Sequence, residues 1–143
     1  MEKVRDILAR KGSAVWTVAP GAKVQAALKT MAEKNVGALV VVDKGKVVGI
    51  CSERDYARGA AARPGACSTA LVREMMSGHV LYVTPDESVE QCMSLMTSKR
   101  LRHLPVMEGD KLVGLVSIGD VVNSVIEQQK VTISHLERYI TGT

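Results

Sequence analysis

The stretch Val47-Val-Gly-Ile-Cys-Ser-Glu-Arg-Asp55 returns, altered but recognisable, as Leu112-Val-Gly-Leu-Val-Ser-Ile-Gly-Asp120. The two copies lie 65 positions apart (112 against 47). The same offset sets Val18 over Val83, Pro20 over Pro85, Val24 over Val89, Met31 over Met96, Val41 over Val106 and Lys46 over Lys111. Upstream, Val4-Arg-Asp-Ile-Leu8 matches Val72-Arg-Glu-Met-Met76 at an offset of 68, three extra residues around Gly12 and Ser13 accounting for the change. Self-similarity over half the chain means one structural unit used twice.

Both copies carry the same order of signals. A short helix comes first (Lys3 to Arg10, and Ala70 to Met76), then a strand (Val15 to Val18, and Val80 to Val83). Pro20 and Pro85 mark helix starts. Val24, Ala27, Leu28 and Met31 follow at helical spacing, as do Val89, Cys92, Met93 and Met96. A strand (Ala38 to Val42, and His103 to Met107), a tight turn and a second strand come next. Gly49 and Gly114 interrupt that second strand, where a bulge or a close backbone approach is expected. A final helix starts near Glu53 or Ile118.

The expected class is therefore α/β (α+β): two pseudo-symmetric βαββα repeats, with short helices at the N- and C-terminal ends. The repeats span 3–62 and 70–128, joined by a linker over 63–69 and followed by an amphipathic tail over 129–143. A three-stranded sheet with helices on one face leaves the other bare, and a unit of about sixty residues is marginal alone. Packing sheet to sheet covers both bare faces and leaves two clefts at the seam. Ser68 or Thr69 is placed to cap the next helix. In the tail, Ile133, Leu136 and Ile140 share a helical face suited to docking.

Composition narrows the function. The chain has 143 residues, 46% hydrophobic and 24% charged, with no Phe and one Trp, so its core is aliphatic. It has few aromatic side chains to stack single-stranded nucleic acid. The charged N-terminus and the lack of any stretch of transmembrane length lead to an expectation of a cytoplasmic protein with no membrane partner. Cys51, Cys67 and Cys92 lack zinc or disulfide spacing and are expected to be inert, Cys67 being the candidate for an exposed thiol. His79 and His135 have no companions at metal-ligand spacing, and no nucleophile–base pair is evident, so neither a metal nor catalysis is expected. Both glycine-rich phosphate loops of common nucleotide enzymes are missing from the sequence. The net charge of +4 favours an anionic ligand.

The sharpest chemical signal is Gly49-x-x-Ser52-x-x-Asp55 with its echo Gly114-x-x-Ser117-x-x-Asp120. Each Ser ends a strand and each Asp enters a first helical turn, where free N–H groups suit phosphate. An ionised carboxylate is acceptor-only and suits a pair of ribose hydroxyls. Glycine lets backbone approach a ligand. The competing structural role is a helix cap, since Ser-x-x-Asp resembles a capping box. One residue pair can serve both.

These repeats resemble tandem CBS domains, the pairing called a Bateman module, and in particular small stand-alone bacterial CBS-pair proteins. The likeness covers roughly Val4 to Ile126 and rests on the βαββα order, the Leu104-Pro105-Val106 strand and the two Ser-x-x-Asp segments. It implies an adenine nucleotide between the repeats: AMP or NAD foremost, with ATP, ADP or S-adenosylmethionine as alternatives. By that resemblance Asp55 and Asp120 hold ribose, while Ser52 and Ser117 lie near ribose or phosphate, with Gly119 beside them. The adenine cage falls on Val15 to Thr17, on Val36, Gly37 and Ala38, on Val80 to Tyr82, and on Leu101, Arg102 and His103, running on into Leu104 and Pro105. The resemblance further implies a homodimer that senses energy or redox state and signals to a client protein in trans. A nucleic-acid-binding or purely assembling module is the competing reading, drawn from Arg54, Arg58, Arg73, Arg100 and Arg102, although nucleic acid is not the expected partner.

The basic residues do not repeat. Arg102 and His103 align with Gly37 and Ala38, and Arg54 and Arg58 align with Gly119 and Asn123. Two clefts of unequal charge are expected, one preferring the ligand with more phosphate.

Overall fold

The computed structural model describes residues 2–63, 65 and 69–141. Its elements run α1 (Val4–Lys11), β1 (Thr17–Val18), α2 (Val24–Lys34), β2 (Ala38–Asp43), β3 (Lys46–Ser52) and α3 (Glu53–Ala62). They continue with α4 (Val72–Met75), α5 (Val89–Lys99), β4 (His103–Glu108), β5 (Lys111–Ser117) and α6 (Ile118–Thr141). In the first repeat β1 pairs parallel with β2, and β2 pairs antiparallel with β3. In the second, β4 and β5 form the matching hairpin. Both hairpins are bulged at the same place: Val41 faces Gly49 but Val42 faces Val47, and Val106 faces Gly114 but Met107 faces Leu112. The extra residue, Val48 or Val113, adds local twist where each strand heads toward its Ser-x-x-Asp segment.

The strand expected at Val80–Val83 shrinks to a single parallel bridge between Val83 and Val106. The cause is one residue. In the first repeat the Val40 N–H donates to the Trp16 carbonyl at 3.1 Å. The position equivalent to Val40 is Pro105, which has no N–H to offer Leu81. The ladder stops there, although Val83 still donates to the Pro105 carbonyl (3.0 Å) and accepts from Met107 (2.8 Å).

The central strands are buried on both faces. Leu39 and Val41 join Ala27, Met31, Cys51 and Val72 in a helix-side core. Ala38 and Val40, pointing the other way, are buried too. In the second repeat Leu104 and Val106 join the helix-side core and Pro105 is buried on the opposite face. Alternation along each strand puts successive side chains on opposite faces, so each sheet has a dry side turned away from its own helices, as the sheet-to-sheet expectation requires.

The leading helices are exchanged between repeats. Val4 and Ile7 of α1 lie in the core of the second repeat, beside Val89, Cys92, Met96 and Val121. Val72 of α4 lies in the core of the first. Backbone bonds lock the exchange with the same pattern on both sides. Val4 and Arg5 donate to the Glu87 and Pro85 carbonyls, both at 2.9 Å, while Val72 and Arg73 donate to those of Ala22 and Pro20 at 2.8 and 3.0 Å. The free N–H groups of a helix start are thereby satisfied by the other repeat. Asp6 and Glu74 complete each start by accepting from the N–H of Lys3 and Leu71, at 2.9 and 3.2 Å, and Arg5 pairs with Asp86.

Two further expectations change. The N-cap position of α4 is Leu71, so Thr69 does not cap it. Ser68 and Cys67 lie outside the described residues. The tail is not a separate element, because α6 runs unbroken from Ile118 to Thr141; from Asp120 to Thr141 the sequence offers neither Gly nor Pro to stop it.

Candidate functional site

Two clefts open between the repeats, and each is built from both. The first, about 520 Å³, sets Ile50, Ser52, Arg54, Asp55 and Arg58 of the first repeat against Val80, Leu81, Arg100, Leu101, Arg102 and His103 of the second, with His79 and Ile118 at its margin. The second, about 320 Å³, sets Leu115 and Ser117 of the second repeat against Val15, Trp16, Val36, Gly37 and Ala38 of the first, with Lys11 beside them. Both volumes fall in the range of small-ligand pockets. The strand–helix junction of one repeat thus faces the strand starts of the other.

This arrangement sorts the sequence-singled residues. Ser52, Arg54, Asp55, Arg58, Val80, Arg102 and His103 come together in the first cleft. Val36, Gly37, Ala38 and Ser117 come together in the second, and His103 lines both. Thr17 is on β1, paired with Val40 and exposed, with Trp16 and Val15 taking the cleft wall instead. Tyr82 is 56% exposed and stands outside the first cleft, where Leu81 lines the wall. Leu104 is core, and Pro105 is buried behind the cleft wall. Gly119 lies exposed in the first turn of α6, outside both linings.

The glycines of the motif face the other repeat's leading helix. A Cβ on Gly49 would sit 2.6 Å from Met76 Sδ and 2.8 Å from the Ser77 carbonyl oxygen. One on Gly114 would sit 2.8 Å from both methyl carbons of Leu8. What they admit is the exchanged helix of the other repeat.

The two Ser-x-x-Asp segments share a sequence but not an environment. Each Ser hydroxyl accepts from the Asp backbone N–H, at 3.1 Å for Ser52 and 3.2 Å for Ser117. Asp120 closes a full capping box by accepting from the Ser117 N–H at 2.8 Å, and is held by Lys11 Nζ at 2.6 Å. Lys11 also donates to the Leu115 carbonyl at 2.7 Å. The Asp55 carboxylate has no such partner among the described residues. Burial pushes the Asp120 pKa up, but the Lys11 and Ser117 hydrogen bonds outweigh it and leave the group below its ordinary value. His103 is driven below its ordinary value by burial, helped by Lys11 and Arg102, against the pull of Asp55 and Asp120.

A depressed carboxylate pKa contributes stability above the unfolded value of 3.8, lost as the pH falls through the folded value. Lys11→Met is therefore expected to lower stability near pH 7. Because Lys11 is partly exposed, the loss should be no more than about 1 kcal/mol. Urea titrations as a function of pH should show the gap between wild type and variant closing below pH 3.8; a gap constant with pH would contradict the assignment.

The arginines of the first cleft are unpaired. Arg54, Arg58, Arg100 and Arg102 are exposed and form no ion pair among the described residues. Arg100 ends α5 in the left-handed conformation, at φ 55, where the first repeat has Asn35 at φ 54. Asparagine tolerates that conformation readily, whereas arginine there costs roughly 1 kcal/mol. Strain of this kind is informative when it places a side chain in a cleft.

Sequence reasoning missed Lys11, Ile50, Leu115 and His79. The repeat itself carried the signal: Ile50 and Leu115 align at the offset of 65, Lys11 and His79 at 68. In the second cleft Trp16 is braced by Lys34, whose Nζ lies 4.4 Å from the ring centroid. The Cys51 and Cys92 thiols are raised to about 11 by burial, reinforced by Asp55 and Glu87 respectively, which makes both inert. No helix among the described residues is long and apolar enough to cross a membrane.

Comparison with known proteins agrees with the duplicated architecture. The CBS domain family model matches twice, over residues 4–61 and 72–127. The mitochondrial CBS domain-containing protein CBSX3 of Arabidopsis thaliana is 35% identical over 149 aligned residues, covering 97% of this chain and 72% of its own. A protein with CBS domains from Burkholderia ambifaria superposes with a TM-score of 0.84 at 46% identity, over 90% of this chain and 96% of that one. The CBS domain pair of protein MJ0100, solved in complex with 5'-methylthioadenosine and S-adenosyl-L-methionine, superposes with a TM-score of 0.78 at 25% identity, over 90% and 98% of the two chains.

Proposed function

The chain belongs to the CBS-domain family, and from that premise we propose that it is a regulatory module binding an adenine nucleotide between its repeats, AMP or NAD foremost. The observation carrying this reading is the unengaged Asp55 carboxylate, set beside Ser52 and opposite the Val80–Leu81 and Leu101–His103 wall. The carboxylate suits ribose hydroxyls, the apolar side chains of Val80, Leu81 and Leu101 a purine, and the α3 N-terminus with its arginines a phosphate. The adenosine compounds bound by the MJ0100 pair support the ligand class.

Because the walls belong to different repeats, a ligand touching both has different affinity for a closed and an open seam. Such a difference shifts the population between the two states. Ser77, on the cleft wall, exchanges backbone bonds with Ile50 at 2.9 and 3.1 Å, which ties the cleft to α4 and so to the other repeat. A client protein reading that seam would sense energy or redox state through the nucleotide.

The reading includes a second copy of the chain as partner. Ile126, Ile133, Leu136 and Ile140 recur at heptad spacing on α6 and stay exposed, Ile140 to 80%. Native mass spectrometry of protein taken from cells is expected to report a dimer of 15.4 kDa chains carrying nucleotide mass. Protein without retained nucleotide that AMP, NAD and ATP all fail to stabilise against heat would overturn the reading.

A further inference from the structure

We propose that the first cleft selects adenosine ligands with two or more linked phosphates over the monophosphate, and that the second cleft has no such preference. The inference rests on the nucleotide-binding reading above and adds the chemistry of the anionic tail. The packing of the two repeats against each other is what makes it visible. In sequence the basic residues divide between the repeats, two on α3 and two around the start of β4. In the fold they face one another across a single cleft.

Arg54 and Arg58 are four apart on α3, hence on one helical face. Arg100 and Arg102 stand on the opposing wall. Four guanidiniums meet one carboxylate there, Asp55, which the ribose would occupy. No other acidic side chain lines the cleft among the described residues. A guanidinium forks two oxygens of a phosphate at once, so four guanidiniums call for more acceptor oxygens than the three terminal ones of a monophosphate supply without sharing. A phosphate chain presents separate oxygens to each wall. Arg100, at the left-handed position that Asn35 takes in the first repeat, lines the cleft with its guanidinium.

The second cleft has none of this. The positions equivalent to the four arginines hold Gly119, Asn123, Asn35 and Gly37. Its own cation, Lys11, is committed to Asp120 and the Leu115 carbonyl. A neutral adenosine compound or a short phosphate would satisfy it as well as a long one.

Isothermal calorimetry on the full chain with adenosine, AMP, ADP, ATP and inorganic triphosphate tests this. ADP and ATP are expected to bind the tighter site at least about 10-fold better than AMP, as charge-assisted hydrogen bonds imply. The Arg54→Ala, Arg58→Ala double variant, at α3 positions outside the purine wall, should erase that step while moving adenosine affinity less than about 3-fold. AMP binding as tightly as ADP and ATP would overturn the proposal and leave the nucleotide reading standing. Binding of none of the adenosine compounds would overturn both. Triphosphate alone matching ATP would also overturn it, showing an anion site without nucleoside recognition.

Discussion

Gly49→Val is expected to cost this protein about 3 kcal/mol or more, enough to leave a marginally stable fold largely unfolded. A side chain at position 49 has no free direction. Its Cβ would fall 2.8 Å from the carbonyl oxygen of Ser77 and 2.6 Å from Met76 Sδ. The sulfur can swing away, but the carbonyl cannot, because Ser77 is fixed to Ile50 by two backbone bonds of 2.9 and 3.1 Å. Relief means breaking those bonds, at about 1 kcal/mol each net and more if a group is left buried unpaired, or opening the contact between α4 and the first repeat. The pseudo-symmetric Gly114→Val is the control. Its Cβ meets only the Leu8 side chain, with methyl carbons at 2.8 Å, and a leucine end can rotate. A loss of about 1–2 kcal/mol is expected there. Urea unfolding of the two variants should separate them clearly. Equal losses would mean that the Ser77 carbonyl yields as easily as a side chain, and that the hydrogen-bonded edge between the repeats is soft.

That contrast shows where the sequence was informative and where it was not. The repeat, the βαββα order and the aliphatic helix faces were legible because they rest on periodicity, which is local. Gly49 and Gly114 were legible as special positions, and both are bulge neighbours with close approaches. What approaches them was not legible. A helix that precedes a repeat gives no local sign of which repeat it packs on, and here each one crosses to the other. The missing strand at Val80–Val83 was readable in principle. Pro105 stands in β4 at the one position whose N–H the first repeat uses to hold Trp16, and a proline inside a strand removes a ladder bond.

The candidate site was legible residue by residue but not as an assembly. Ser52, Asp55, Arg54, Arg58, Arg102 and His103 were singled out from alignment of the two copies, and the fold collects them in one cleft. Alignment placed the arginines in different repeats, and only the crossing of the walls unites them. Lys11 escaped notice because its role depends on Asp120, which is 109 positions away. Thr17 and Tyr82 were drawn in by position in strands whose neighbours, Trp16 and Leu81, turn inward instead. A two-residue strand and a lone bridge are too short for alternation to fix which residue faces the cleft.

Asp55→Asn and Asp120→Asn should have opposite consequences despite their matched positions, and this is the second large effect expected. Asp55 accepts nothing from the rest of the described chain, so its replacement removes only a favourable charge in the first turn of α3, about 0.3–1 kcal/mol. Nucleotide binding should suffer instead. Losing a charged acceptor for ribose costs about 1.5–3 kcal/mol, roughly 10- to 150-fold in affinity. Asp120 is engaged three ways: its own N–H with Ser117 Oγ, its carboxylate with the Ser117 N–H, and its carboxylate with Lys11. Asparagine keeps the first but weakens the other two, and stability should fall by about 1–2 kcal/mol, while affinity at the first cleft stays within about 3-fold of wild type. Calorimetry and urea unfolding on the same two variants give a crossed pattern. If Asp55→Asn loses stability and keeps nucleotide affinity, the carboxylate is a helix cap like its twin, and the ribose contact must be sought elsewhere. Asp120 answers the structural demand for a cap in full, which is why an Asp55 that answers it only in part points toward a ligand.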